Sequence, residues 1–186
     1  MSTATINTFL ALATIVVDLI VVTGLVLWIG SRWSAGLDRA YRAVRHAIRD
    51  HALTFAALVA VGSIAASLYY SEVAAFPPCP LCWYGRIAMY PLGVILLVAA
   101  ITRDRGARIY AAPLALIGGG IGVYNYLLHL FPGLESGACS VEASCATPYV
   151  WEFGFISIPF MGIAAFAFIL LLLGAAGGPD HQETAT

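Results

Sequence analysis

The sequence predicts an all-α membrane protein, a four-helix transmembrane bundle plus one additional N-terminal transmembrane helix. Three observations carry this. Hydrophobic residues make up 61% of the 186 residues and charged residues 10%, against about a quarter charged in soluble domains. The apolar residues gather into five runs, roughly 9–30, 52–70, 84–101, 109–131 and 155–174, each near the ~20 residues a helix needs to cross the hydrocarbon core. The runs are continuous, which excludes the alternating strands of a membrane β-barrel. No room remains for a separate globular domain, and a net charge of −1 argues against nucleic acid as a partner.

The first run is expected to be a retained helix. Residues 1–8 carry no Lys or Arg, the run is too long for a signal peptide, and no small-residue cleavage site follows. Asp18 sits near its middle, where an acid is costly. With no basic residue at that depth, the expected role is a protonated or hydrogen-bonded packing residue. Residues 32–49 read as an amphipathic helix: Trp33, Leu37, Tyr41, Val44 and Ile48 recur at helical spacing, with Arg39, Arg42, Arg45 and Arg49 on other faces. Such a helix suits the headgroup region, with membrane lipid as its partner. In the fourth run, Gly118 and Gly122 form a small-xxx-small pair that predicts close helix packing.

The arginines orient the bundle. All nine basic residues are Arg. Arg32, Arg39, Arg42, Arg45 and Arg49 lie between the first two runs, and Arg103, Arg105 and Arg108 between the third and fourth. Basic loops stay in the cytoplasm, so the loops near 71–83 and 132–154 and the N-terminus are expected outside, with the C-terminus cytoplasmic. Only Arg86 falls elsewhere.

The outward loops hold all four cysteines, as Cys79-Pro80-Leu81-Cys82 and as Cys139 and Cys145. Four cysteines allow three disulfide connectivities, which spacing does not rank. The oxidising side of a membrane permits disulfides. A C-x-x-C pair closes too small a loop to stabilise a fold much and is more often redox-active. The second pair closes a loop of small and polar residues, expected to be accessible to another protein. Pro80 suits the first turn of a helix, so the third helix is expected to begin at or just after the motif. A Cys82 thiolate there would feel the helix dipole, and Arg86, one turn on, would favour the thiolate and any negative charge on an acceptor docked against it. Structural zinc fits the second spacing poorly, so no metal is expected. Two structural disulfides in a membrane scaffold are the stronger competitor.

Cys79-Pro80-Leu81-Cys82-Trp83-Tyr84-Gly85-Arg86 resembles the C-x-L-C-W-Y-x-R signature of the disulfide-bond formation protein B (DsbB) family, in the branch often called BdbC. Cys145-Ala146-Thr147 and the stretch from Trp151 to Phe160 are similar to the segment around the second Cys pair of that family. The resemblance covers about residues 51–175. It implies a quinone-dependent thiol oxidase, a disulfide-forming protein dithiol:quinone oxidoreductase. Residues 1–50 are then an extra transmembrane helix with a basic amphipathic cytoplasmic connector, and residues 51–186 a four-helix redox core. The implied partner is an extracytoplasmic thioredoxin-like dithiol oxidase, DsbA- or BdbD-like, and the implied cofactor is ubiquinone or menaquinone.

Carried over residue by residue, Cys139 matches the cysteine attacked by the reduced partner and Cys145 its disulfide partner. Cys79 matches the cysteine that exchanges with that second pair. Cys82 matches the thiolate beside the quinone, and Arg86 the arginine that supports it. The chain departs from the pattern in three places. Gly85 stands where the family usually has Gln or Glu. Asn125 stands where many relatives have His, with His129 one turn later, and either is a candidate for quinone contact. The first helix with its connector is an addition. Vitamin K epoxide reductase-like enzymes also couple outer thiols to quinone, but there the loop pair precedes the C-x-x-C, the reverse of the order here.

Overall fold

A computed structural model describes residues 3–134 and 145–177. Its helices are α1 (Thr3–Gly30), α2 (Ala35–Ile48), α3 (Ala52–Leu68, prolonged by a π-helical turn at Tyr69–Val73), α4 (Pro80–Thr102), α5 (Arg108–Leu130, after a 3-10 turn at Arg105–Ala107) and α6 (Ile158–Ala176). All except α2 are long and apolar enough to cross a membrane. Among the described residues the only strand-like feature is an isolated bridge between Glu152 and Ile156. The chain is an all-α, multi-pass membrane protein.

The helix ends differ from the hydropathy runs for physical reasons. α1 starts earlier, at Thr3, because polar residues that lower hydropathy still fit a helix; Thr8 Oγ1 donates back to the Ala4 carbonyl at 3.1 Å. α4 starts inside the cysteine motif, because Pro80 occupies its first turn. α6 starts later, because residues 152–156 turn sharply. Phe153 (φ 53°) and Gly154 (φ 81°) both occupy the left-handed region there, which glycine adopts without a Cβ penalty.

Helices α3 to α6 share one core. Leu92, Leu96 and Ile169 are fully buried, and Ala52, Ala56 and Ala60 let α3 approach closely. Gly118 lies beneath the Phe166 ring, and a Cβ on Gly122 would sit 3.0 Å from Ile163 Cγ1. Both glycines therefore serve the α5–α6 contact, as their spacing predicts. α1 packs against α6, where a Cβ on Gly24 would lie 2.8 Å from Leu171 Cδ2. Asp18 is half-buried on the same side of α1 as the buried residues Ala11, Thr14 and Val21.

The arginines other than Arg86 gather at one end. Arg45 Nε donates to the Ala175 carbonyl at 3.4 Å, close to the negative end of the α6 dipole. Arg105 pairs with Asp50 at 2.8 Å, tying the α4–α5 link to the α2–α3 corner, and Arg42 pairs with Asp38. α2 buries none of its residues and leaves Leu37 and Val44 exposed, with Trp33 exposed just before it. This is the uncovered apolar face expected of a helix in the headgroup layer. The cysteines lie at the other end of the bundle.

Candidate functional site: the cysteine end of the bundle

Cys79 is the N-cap of α4. Its backbone is extended (φ −70°, ψ 163°), and its sulfur accepts a hydrogen bond from the Cys82 backbone N–H at 3.3 Å. The Cys79 and Cys82 sulfurs are 2.7 Å apart, with Asn125 Nδ2 at 3.9 Å and 3.8 Å from them. The Cys82 thiol donating to Cys79 sulfur pushes the Cys79 thiol down to about 6. Burial opposes this, and the backbone N–H groups of Cys82 and Leu81 and the Asn125 amide assist. The sequence predicts a favoured thiolate at Cys82, from the helix start and from Arg86 one turn on. In the reduced pair, the group at the cap, and thus at the open N–H groups, is the Cys79 sulfur.

The two sulfurs share one space and differ in a second. Cys82 lines a partly open cavity of about 310 Å³ bordered by α1, α3, α4, α5 and α6; Cys79 does not. Arg86 lines the same cavity and is 91% buried by relative accessibility of 9%. Its Nε donates to Ser67 Oγ at 2.9 Å and its Nη2 to the Ser67 carbonyl at 3.0 Å, while Trp83 lies 5.1 Å from the guanidinium carbon. Those bonds offset the cost of an Arg inside the bilayer, roughly 2.5–3.5 kcal/mol at its centre. They also hold the guanidinium in place with further N–H groups left to donate.

A second, smaller cavity of about 30 Å³ is lined by Cys79, Cys82, Asn125, His129 and Cys145. It has room for about one water. Cys145 is disulfide-bonded and 1% exposed, and it packs in one cluster with Cys79, Leu81 and Leu128. Sequence reasoning expected the second pair to be accessible; the Cys145 half of it is not, because the segment after it folds down onto the bundle. Cys139 lies outside the described residues.

Aromatic stacking holds that segment. Tyr149 stacks on Phe76 at 5.2 Å and Phe76 on Tyr70 at 5.9 Å, joining the second loop to the first and to the end of α3. Trp151 stacks on Tyr126 at 6.3 Å, and Tyr126 Oη donates to the Phe155 carbonyl at 3.0 Å. Asn125 and His129 part company: Asn125 lines both cavities, whereas His129 lines only the smaller one, against Trp151.

Two site residues escaped sequence reasoning. Ser67 holds Arg86, and Tyr70 lines the larger cavity with its buried hydroxyl unpartnered among the described residues. The signal was there: Ser63, Ser67 and Ser71 recur every four residues in an otherwise apolar run, with Tyr70 beside them. All four line the cavity.

The profile of the family described as disulfide bond formation protein DsbB matches residues 49–176. The chain belongs to the DsbB family. It is 43% identical over 126 residues to a Bacillus anthracis protein named "Probable disulfide formation protein C 2", a match covering 68% of this chain and 90% of that one. It is 40% identical over 126 residues to disulfide bond formation protein C of Bacillus subtilis, covering 67% and 91%. A Deinococcus radiodurans relative is 43% identical over 134 residues, covering 67% and 88%. No solved structure matches significantly.

The DsbB match begins after α2, so α1 and α2 lie outside it. The departure at Gly85 also has a structural consequence. Gly85 lines the larger cavity, and a Cβ there would meet nothing within 4 Å. The space a Gln or Glu would enter is open.

Proposed function

We propose that this protein, whose DsbB-family membership gives it a role in disulfide bond formation, is a quinone-dependent thiol oxidase. It reoxidises an extracytoplasmic thioredoxin-like dithiol oxidase. The observation that carries this reading is the division between the two sulfurs of one pair. Cys79 is buried in the cluster with Cys145; Cys82 packs against that cluster and, unlike Cys79, also lies on the wall of a large, mostly apolar cavity beside Arg86. In this reading the cysteine end faces outward and the arginine end the cytoplasm.

A quinone fits the cavity. Its volume reaches the range of small-molecule pockets, about 300–1,000 Å³, and its lining combines apolar side chains with a few donors. Tyr70 Oη and Asn125 Oδ1 are buried without partners among the described residues, and such groups need a ligand or water to satisfy them. When bound, a quinone supplies a lipid-soluble acceptor of two electrons and two protons. Cys82, Arg86, Tyr70 and Asn125 would hold its head.

The thiol steps follow from the cysteines' own chemistry. A partner thiolate attacks Cys139, breaking the Cys139–Cys145 bond and forming a mixed disulfide. The partner's second thiol resolves it, leaving the partner oxidised and Cys139 and Cys145 reduced. The Cys145 thiolate then attacks Cys79 of the Cys79–Cys82 disulfide, and Cys82 leaves as the thiolate. Attack by Cys139 on Cys145 restores the outer disulfide and frees Cys79, so one electron pair has moved inward. The Arg86 charge, fixed by Ser67, stabilises negative charge beside Cys82.

The test supplies purified protein with reduced partner and a soluble quinone and follows quinone absorbance. Cys82→Ser is expected to bring quinone reduction to background. Turnover that survives Cys82→Ser contradicts the mechanism. Four cysteines that stay oxidised under reduced partner without quinone would mark a stapled scaffold instead.

A further inference from the structure

The larger cavity has a polar end and an apolar end. At the cysteine end stand Cys82, Arg86, Tyr70 and Asn125; deeper in the bundle the lining turns to Val59, Met89, Gly118, Ala165 and Phe166. From Asn125 to Gly118 is about 10 Å along a helix, so the space runs inward by roughly two turns. α1 borders it over the same length. Leu10, Ala13, Thr14 and Val17 line the cavity, the i, i+3, i+4, i+7 positions of one helix face. The Thr14 hydroxyl is returned to the Leu10 carbonyl at 2.8 Å, so it makes no polar demand on a ligand. On the other side of α1, Phe9, Leu12, Val16 and Leu19 are exposed, as lipid-facing residues are. α1 therefore stands between the bilayer and the cavity.

Resting on the acceptor reading above, we propose that α1 is the wall of the quinone site that holds the acceptor's apolar tail. The head meets Cys82 and Arg86, and the tail lies along Leu10, Ala13, Thr14 and Val17. The helix outside the family match would thus be part of the binding site, setting how a lipid-soluble acceptor enters from the bilayer. An apolar helix face suits an isoprenoid or alkyl chain, which offers no hydrogen bonds, and it leaves the polar end to select the ring.

Two benzoquinone photoprobes test this on the full-length protein in detergent, one carrying an azide on the ring and the other at the end of a ten-carbon chain. The chain-end probe is expected to label α1 between residues 10 and 17, and the ring probe α4 between Cys82 and Arg86. Ala13→Trp should weaken binding of the chain-bearing quinone about tenfold by filling the tail space, whereas Leu12→Trp, on the lipid face, should leave it unchanged. Ring labelling of α4 with no chain-end labelling of α1 would overturn the role of α1 and leave the acceptor site standing. No labelling of any helix by either probe would overturn both.

Discussion

The two ends of the bundle treat polar groups in opposite ways. At the arginine end the charges are placed on α2 and on the short links, where Arg42 meets Asp38 and Arg105 meets Asp50. At the cysteine end the polar groups are few and buried. Tyr70 Oη, Asn125 Oδ1, His129 Nδ1 and Ser157 Oγ lack partners among the described residues. Exposed ion pairs are cheap and individually weak, so the first end can hold its charges at little cost. Buried polar atoms without partners are costly, and their concentration around one pair of sulfurs marks where a ligand and chemistry belong. In a membrane protein, the informative polar residues are those the bundle encloses.

The sharpest way to break that contrast is Arg86→Ala. Removing a fixed positive charge beside developing negative charge is expected to lower quinone reduction about 10²–10³-fold, while disulfide exchange of the second pair with partner continues at its normal rate. Equal loss of both steps in a stopped-flow comparison would make Arg86 a packing residue. Ser67→Ala leaves the charge but removes the hydroxyl that holds it. It should cost about tenfold in quinone reduction, matching the loss of one hydrogen bond to a charged group.

A pH profile sharpens the account of the cap. With Cys139 and Cys145 replaced by Ser, alkylation of reduced Cys79 should follow its thiolate. The rate should be half-maximal near 6, to which the thiol is lowered, levelling off above that midpoint and falling as pH drops below it. Cys82→Ala removes the largest cause of the lowering, so the midpoint should move up towards the ordinary thiol value of about 8.5. An unmoved midpoint would assign the effect to the helix N-terminus alone. The smallest effect is expected at the far end: Arg105→Ala should change thermal stability by no more than about 1 kcal/mol and leave turnover intact.

The five membrane-crossing helices were legible because a run of ~20 apolar residues has few alternatives in structure. The Gly118–Gly122 contact was legible from spacing. Helix starts were less so. The last apolar run begins at Phe155, yet the turn set by the left-handed backbone at Phe153 and Gly154 carries through to Ile156, and α6 begins only at Ile158. At the site, Cys82 and Arg86 stood out locally, one turn apart. Their supports did not, because Ser67 and Tyr70 come from α3 and reach the cavity only through α3–α4 packing. The wall formed by α1 was hidden for the same reason: Leu10, Ala13, Thr14 and Val17 look like any lipid-facing stretch until the bundle is assembled.

The central claim is that electrons leave through the Cys79–Cys82 pair and not directly from the second pair. Protein carrying Cys139→Ser and Cys145→Ser, fully reduced and mixed anaerobically with one equivalent of a short-chain quinone, tests it by timed alkylation and mass spectrometry. The account predicts loss of the Cys79 and Cys82 thiols together, in step with quinone reduction. Thiols that persist at Cys79 and Cys82 while the quinone is consumed only when Cys139 and Cys145 are present would contradict it.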